Sequence, residues 1–122
     1  MSQLKSCTLF VAAVALFSAS AAVAETTAFD GNWSVVFATR AGHCYPTYRL
    51  DGEVSNGMVR FAGGGDNYNG RVTPNGSISM TVSTDAIRGS GAGRLTRGTG
   101  AGSWRARINN ENCSGVWTAQ RN

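Results

Sequence analysis

His43 and Cys44 are neighbours in the sequence, and a histidine beside a cysteine can activate the thiol as a nucleophile. Such a nucleophile has to be a thiolate, whereas Cys44 has a natural disulfide partner in Cys113. His43 is the one histidine of the chain, and a zinc site needs about four cysteine, histidine or carboxylate ligands. We therefore predict a surface position for His43, no catalytic nucleophile and no metal site.

Seven acidic residues are the remaining candidates for general acid–base chemistry. Two carboxylates that flank a bond can hydrolyse glycosides, but most of these acids fall in predicted turns or at strand ends, where acidic residues usually meet solvent. Residues 63–67 resemble one glycine–aspartate calcium repeat, and a single copy without a repeat period favours a flexible loop. The sequence thus predicts a protein that is not an enzyme and that carries no cofactor.

After Lys5 the chain contains no lysine, and its ten arginines outnumber the seven acids. They are scattered, whereas a nucleic-acid-binding module carries a basic stripe interleaved with stacking aromatics, so we predict no nucleic-acid partner. Arginine binds carboxylates, phosphates and sulfates through paired hydrogen bonds. Arg105 and Arg107 share the solvent-facing side of one predicted strand, and we predict that they form an anion-accepting patch with Arg60.

Two tyrosines are further candidates for binding. Tyr45 and Tyr68 could line a pocket at the mouth of a barrel, together with tryptophans. The alternative is that the tryptophans form the core while the tyrosines cover loops. The sequence leaves both interpretations open.

The N-terminal segment has the three parts of a cleavable export signal. Lys5 precedes an apolar run, and Ala22-Val23-Ala24 is an A-x-A cleavage pattern. We predict a signal peptide at residues 1–24, a single domain at 25–122 and no membrane span after cleavage. Cys44 and Cys113 then remain as a pair, which in an oxidising compartment predicts a disulfide.

The elements that must position these residues are short β-strands, because apolar and polar residues alternate nearly throughout. Asn56-Gly57 and Asn75-Gly76 predict tight hairpin turns, and Asp51-Gly52 and Thr99-Gly100 are weaker turn candidates. We predict an all-β antiparallel up-and-down meander of about eight strands, either a rolled sheet or a closed barrel. The strands are expected near residues 32–39, 46–51, 53–55, 57–62, 67–73, 77–83, 92–97 with 102–108, and 113–120.

One pattern spans nearly all of this domain. It begins with Phe29-Asp30-Gly31-Asn32-Trp33, continues through Gly42 and Cys44 and the repeated G-x-V-x-x-N-G segments, and ends with Cys113-Ser114-Gly115-Val116-Trp117. In this it resembles small exported proteins of unknown function from alphaproteobacteria such as rhizobia, which implies a Gram-negative periplasm. In architecture alone it is also similar to avidin-type barrels, a likeness that implies no function.

These observations predict an exported, non-enzymatic β-barrel that binds a small ligand, an anionic glycan or a protein in the periplasm or outside the cell. The alternative is an envelope structural or stress-protective protein, or an inhibitor of a secreted hydrolase, acting through its surface. For an inhibitor, the decisive residues would lie in loops 40–45 and 63–70. Neither the ligand nor the oligomeric state follows from the sequence.

Overall fold

A computed structural model describes residues 27–122, and the predicted signal peptide at residues 1–24 lies outside the described residues. The described chain is a closed antiparallel barrel of eight strands in sequential order. A single turn of 3-10 helix spans Gly65–Asn67. The strands are β1 Gly31–Ala41, β2 Thr47–Ser55, β3 Met58–Phe61, β4 Tyr68–Val72, β5 Ser77–Ser83, β6 Ile87–Leu95, β7 Thr99–Ile108 and β8 Glu111–Arg121.

The barrel closes because β1 pairs with β2 on one side and with β8 on the other. Closure gives every strand two neighbours and removes the exposed edges that would otherwise invite aggregation. The all-β meander and its closure are thereby confirmed. None of the helical segments among residues 27–122 has the length and apolarity needed to cross a membrane.

The two Asn-Gly turns differ in backbone conformation. Asn56 and Gly57 both have positive φ, 50° and 77°, which is the type I′ geometry that two-residue hairpins prefer. At Asn75-Gly76 only Gly76 has a positive φ. The β7–β8 turn uses Asn109 and Asn110, at φ 49° and 69°, a turn that the sequence analysis did not single out.

Two of the weaker turn candidates are wrong, and glycine explains both errors. Asp51-Gly52 lies inside the continuous strand β2, where Gly52 is buried between Trp33 of β1 and Phe61 of β3. Thr99-Gly100 begins β7, and Gly100 packs against Trp117. At these positions glycine makes room for an interior aromatic ring instead of turning the chain.

Strand β6 also differs from its expected extent. It begins at Ile87 instead of near 92, and it is a separate strand from β7. Its inward positions include Gly89, Gly91 and Gly93, which leave space for large neighbours such as Met80 and Trp117. A strand whose inward positions are glycine shows no apolar alternation, so its first half reads as a loop.

The three tryptophans are buried in the core and lie on β1, β7 and β8, around the β1–β8 seam. In the two Gly-x-Trp motifs of β7 and β8, Trp104 lies opposite Gly115 and Trp117 lies opposite Gly102. Each ring therefore occupies the space left by the glycine of the other strand. The buried hydrophobic residues are Phe29, Trp33, Val35, Val54, Val59, Phe61, Val72, Ile78, Met80, Leu95, Trp104, Cys113, Trp117 and Ala119.

One end of the barrel is closed by Arg121, the last residue of β8. Its guanidinium lies 5.6 Å from the centre of the Trp33 ring and donates hydrogen bonds to the carbonyls of Arg97, Ala28 and Asp30. The Trp33 indole in turn donates to the Phe29 carbonyl at 2.9 Å. These contacts fix the chain segment before β1 across this end.

The opposite end is held by the disulfide that the sequence predicted. Cys44, in the loop after β1, is bonded to Cys113 near the start of β8. The backbone amide of His43 donates to the Glu111 carboxylate at 3.1 Å, and the exposed His43 ring lies 3.2 Å from the same oxygen. The β1–β2 loop is therefore attached to β8 at two adjacent points.

Candidate functional site

The interior of the barrel is nearly full. The cavity on its axis has a volume of about 20 Å³ and is lined by apolar core residues, among them Trp33, Met80 and Trp117. A volume of about 10–15 Å³ holds one water molecule, which also needs polar partners. A small-molecule pocket measures about 300–1,000 Å³. The interior of the barrel is therefore too small for a ligand of that size.

The two candidate tyrosines belong to different aromatic groups. Tyr45, 76% exposed in the β1–β2 loop, packs edge-to-face on Tyr48, which packs in the same way on Trp104. Tyr68 begins β4, is half-buried and packs edge-to-face on Phe61. The structure thus brings each tyrosine to an aromatic neighbour but does not pair the two in one pocket.

Arg105 and Arg107 lie together on the outer face of β7, as the alternation predicted. Their inward neighbours are Trp104 and Ala106. Across the strand pair, Arg107 lies directly opposite Arg88 of β6. We call Arg88, Arg105 and Arg107 the arginine cluster.

Arg60 does not join this cluster. It lies on β3, directly opposite Glu53 of β2, and lines a different cavity with Asp51 and Glu53. In an eight-stranded closed barrel, β3 and β7 are separated by three strands in either direction. Arg60 is therefore on the wall opposite the arginine cluster, in acidic surroundings.

The arginine cluster surrounds an open cavity of about 450 Å³ on the outer wall of β6, β7 and β8. Small polar side chains complete its lining: Ser90 and Ser114 flank Arg105 on either side, and Asn112 flanks Arg107. Serine and asparagine supply both donors and acceptors, whereas arginine supplies donors only. The cavity therefore combines three permanent positive charges with short hydrogen-bonding groups.

The three guanidinium groups have no close counter-charge. Among the described side chains of residues 27–122, the ion pair within 4.0 Å is His43 with Glu111, and no carboxylate lies that close to the cluster. Asp85 of the β5–β6 turn lines a neighbouring cavity together with Arg88 and Arg107. The cluster is a concentration of positive charge that is open to solvent.

Cys113 connects this surface to the disulfide. It lies opposite Ala106, between Arg105 and Arg107 in register, and lines the same cavity. The bond to Cys44 anchors the start of β8 beneath the cluster. Because this surface lies on paired strands next to a covalent cross-link, the fold holds the backbone beneath the cluster in a fixed geometry.

Arg88 is the site residue that the sequence analysis missed. It falls in a segment that was not assigned to a strand, because the inward positions after it are glycines. The sequence does carry a signal for this strand in its polar residues, because Arg88, Ser90 and Arg94 alternate with those glycines. Reading that alternation as a strand would have paired Arg88 with β7.

The metal-ligating and nucleophilic residue types have the following positions in the described residues 27–122. Among residues 27–122, no three histidine, cysteine, aspartate or glutamate side chains are grouped closely enough to hold a metal ion. His43 is 97% exposed and its neighbour Cys44 is in the disulfide.

Comparison with family models, curated proteins and solved structures found no match to this chain.

Proposed function

We propose that this chain is an exported, non-enzymatic β-barrel protein that binds an anionic ligand through the arginine cluster. The observation that carries the proposal is the direct opposition of Arg88 and Arg107. Like charges at directly opposite positions destabilise a strand pair. Departures from such local rules are expected mainly at functional sites, and a bound anion would turn this repulsion into attraction.

The chemistry of the cluster supports an oxyanion as the bound group. A guanidinium donates two parallel hydrogen bonds to a carboxylate, phosphate or sulfate. Arg105 and Arg107 are two residues apart, which places them about 7 Å apart along the strand. Arg88 approaches Arg107 from the neighbouring strand, so a ligand between them meets donors from two sides.

A chromatographic comparison tests this site. Arg88→Gln/Arg107→Gln removes two charges from the cluster, and Arg49→Gln/Arg97→Gln removes two exposed charges elsewhere. The two variants have equal net charge, so a difference in the salt needed for elution from a sulfated resin reports the local site. We expect the cluster variant to elute at lower salt. Coincident elution of the two variants would refute the proposal.

Export is the second part of the proposal. It is supported by the A-x-A pattern before Glu25 and by the disulfide, which is compatible with an oxidising compartment such as the periplasm. Intact-mass measurement on protein expressed from the full sequence tests it. The expected species is residues 25–122 less two hydrogens, and an uncleaved or reduced chain would contradict export.

A second candidate function rests on the exposed Tyr45. The Tyr45 amide donates to the Tyr48 hydroxyl at 3.1 Å, and its loop is tied down by the disulfide. A rigid exposed tyrosine is a frequent anchor at protein interfaces, which suits an inhibitor of a secreted hydrolase. If a hydrolase panel is inhibited, Tyr45→Ala should abolish inhibition while Arg88→Gln/Arg107→Gln retains it.

A further inference from the structure

A second cavity continues from the arginine cluster along the same wall. Its volume is about 790 Å³, and it shares Ser90, Arg105 and Ser114 with the first cavity. Six small outward-facing side chains on four neighbouring strands form most of its floor, and the exposed Val116 of β8 adds apolar surface. We call these six residues the serine groove: Ser79, Thr81, Ser90, Ala92, Ser103 and Ser114. The two cavities form one continuous depression.

The register defines the shape of this depression. Ser79, Ala92, Ser103 and the exposed Val116 form one row across the strands, and Thr81, Ser90, Arg105 and Ser114 form the next. Arg88 and Arg107 belong to the third row. Rows two residues apart and strands about 4.8 Å apart give a surface of about 14 Å in each direction. Arg40 adds a fourth arginine on the β1 side.

The lining distinguishes between classes of anionic polymer. Single-stranded nucleic acids bind on aromatic platforms, but Trp104, the aromatic residue that lines the larger cavity, is 8% exposed and faces the core. Peptides often bind by adding a strand to a free sheet edge, and this closed barrel offers none. Hydroxyl groups interspersed with guanidinium groups instead match a polymer that carries both hydroxyl and acidic groups.

We infer that the ligand is a linear anionic polysaccharide, with acidic groups on the arginine cluster and its continuing chain in the serine groove. This inference rests on the proposed anion site. The small floor residues let the sugar rings approach the sheet, and the serine and threonine hydroxyls exchange hydrogen bonds with those of the sugar. Successive acidic groups reach Arg107 and Arg105, which are two residues apart on β7.

Chain length is the property that tests the inference. Galacturonate and oligogalacturonates of increasing length are titrated calorimetrically into the oxidised protein. Ala92→Gln/Ser103→Gln places two larger neutral side chains on directly opposite floor positions. Ala101→Gln/Thr118→Gln makes the matched change at an opposite pair outside both cavities. Because both changes are neutral, neither alters the charge at the arginine cluster.

We expect affinity to rise about tenfold or more from the monomer to the longer chains, since linked contacts reinforce each other. The groove variant should lose this gain and keep its affinity for inorganic sulfate, while the control variant keeps both. The inference is overturned if length brings no gain, if the groove variant retains the gain, or if single-stranded DNA of equal charge binds more tightly. Failure of the wild type to bind sulfate or any uronate would instead refute the anion site.

Discussion

Arg88 and Arg107 lie directly opposite each other on β6 and β7. Side chains in such positions have Cβ atoms about 4.5–5.5 Å apart, and no described carboxylate lies within 4.0 Å of either guanidinium. The pair therefore raises the energy of the unliganded barrel and offers two convergent donors to an anion. Stability and binding should respond in opposite directions when this pair is changed.

The first prediction concerns that opposition. Arg107→Gln removes the like-charge contact and should raise the free energy of unfolding by about 0.2–1 kcal/mol at low salt. Urea unfolding measures the change, with Arg49→Gln as the control for loss of an exposed charge. The gain should shrink as salt is added, because salt screens exposed charges. Destabilisation by Arg107→Gln at low salt would contradict the prediction.

Closure at the β1–β8 seam depends on Gly115. A Cβ at this position would lie 1.8 Å from the Ala38 carbonyl oxygen and 3.0 Å from the Trp104 indole nitrogen. Gly115→Ala forces the strands apart, and overpacking of this kind costs about 1–3 kcal/mol or more. At Gly98, where an added Cβ meets nothing within 4 Å, alanine should be neutral. Equal unfolding midpoints for Gly115→Ala and Gly98→Ala would show that the β1–β8 seam tolerates the added methyl group, against the prediction.

The disulfide should supply a large share of the stability. Cys44 and Cys113 are 69 residues apart, and closing a loop of that length is worth about 4 kcal/mol in the chain-entropy estimate. We expect dithiothreitol to lower the unfolding midpoint of the wild type strongly. Cys44→Ser/Cys113→Ser should start at the lower midpoint and be unaffected by the reductant. A wild-type unfolding midpoint that does not change on reduction would show that the disulfide does not stabilise the fold in this way.

Arg121 should behave as a structural residue, unlike the arginines of the cluster. Its guanidinium donates to three carbonyls and lies against the Trp33 ring. Hydrogen bonds from a charged group contribute about 1.5–3 kcal/mol, so Arg121→Met should destabilise by about 2 kcal/mol or more. Arg94→Met, which removes a single hydrogen bond to the Asn75 carbonyl, is the control and should have a smaller effect. Sulfate affinity should be unchanged in both variants.

Much of the fold could be predicted from local signals. Alternating residues such as Ile78, Met80 and Val82 show a strand with one buried face, and Asn56-Gly57 shows a turn that requires positive φ at two positions. Glycine, however, has two structural roles that the sequence alone does not distinguish, and Gly52 is an example. A glycine that turns the chain and a glycine that makes room for a tryptophan look alike until the neighbouring strand is known.

The candidate site was only partly predictable for the same reason. Alternation places Arg105 and Arg107 on the outer face of one strand, which needs no knowledge of pairing. Whether another arginine joins them depends on strand order and register around the closed barrel. Grouping Arg60 with them is wrong, since its strand lies on the opposite wall of the barrel. Arg88 was missed because the inward positions of its strand are glycines, so the strand shows no apolar alternation.

Anion binding on the outer wall of the barrel can be located by mapping amide chemical shifts during a titration with oligogalacturonate. We predict saturable shifts that cluster on β6, β7 and β8 around Arg88, Arg105 and Arg107, and that vanish in Arg88→Gln/Arg107→Gln. Shifts centred on the indoles of the interior residues Trp33 and Trp117, shifts around Arg60 on the opposite wall, or no shifts at all would refute binding at the arginine cluster.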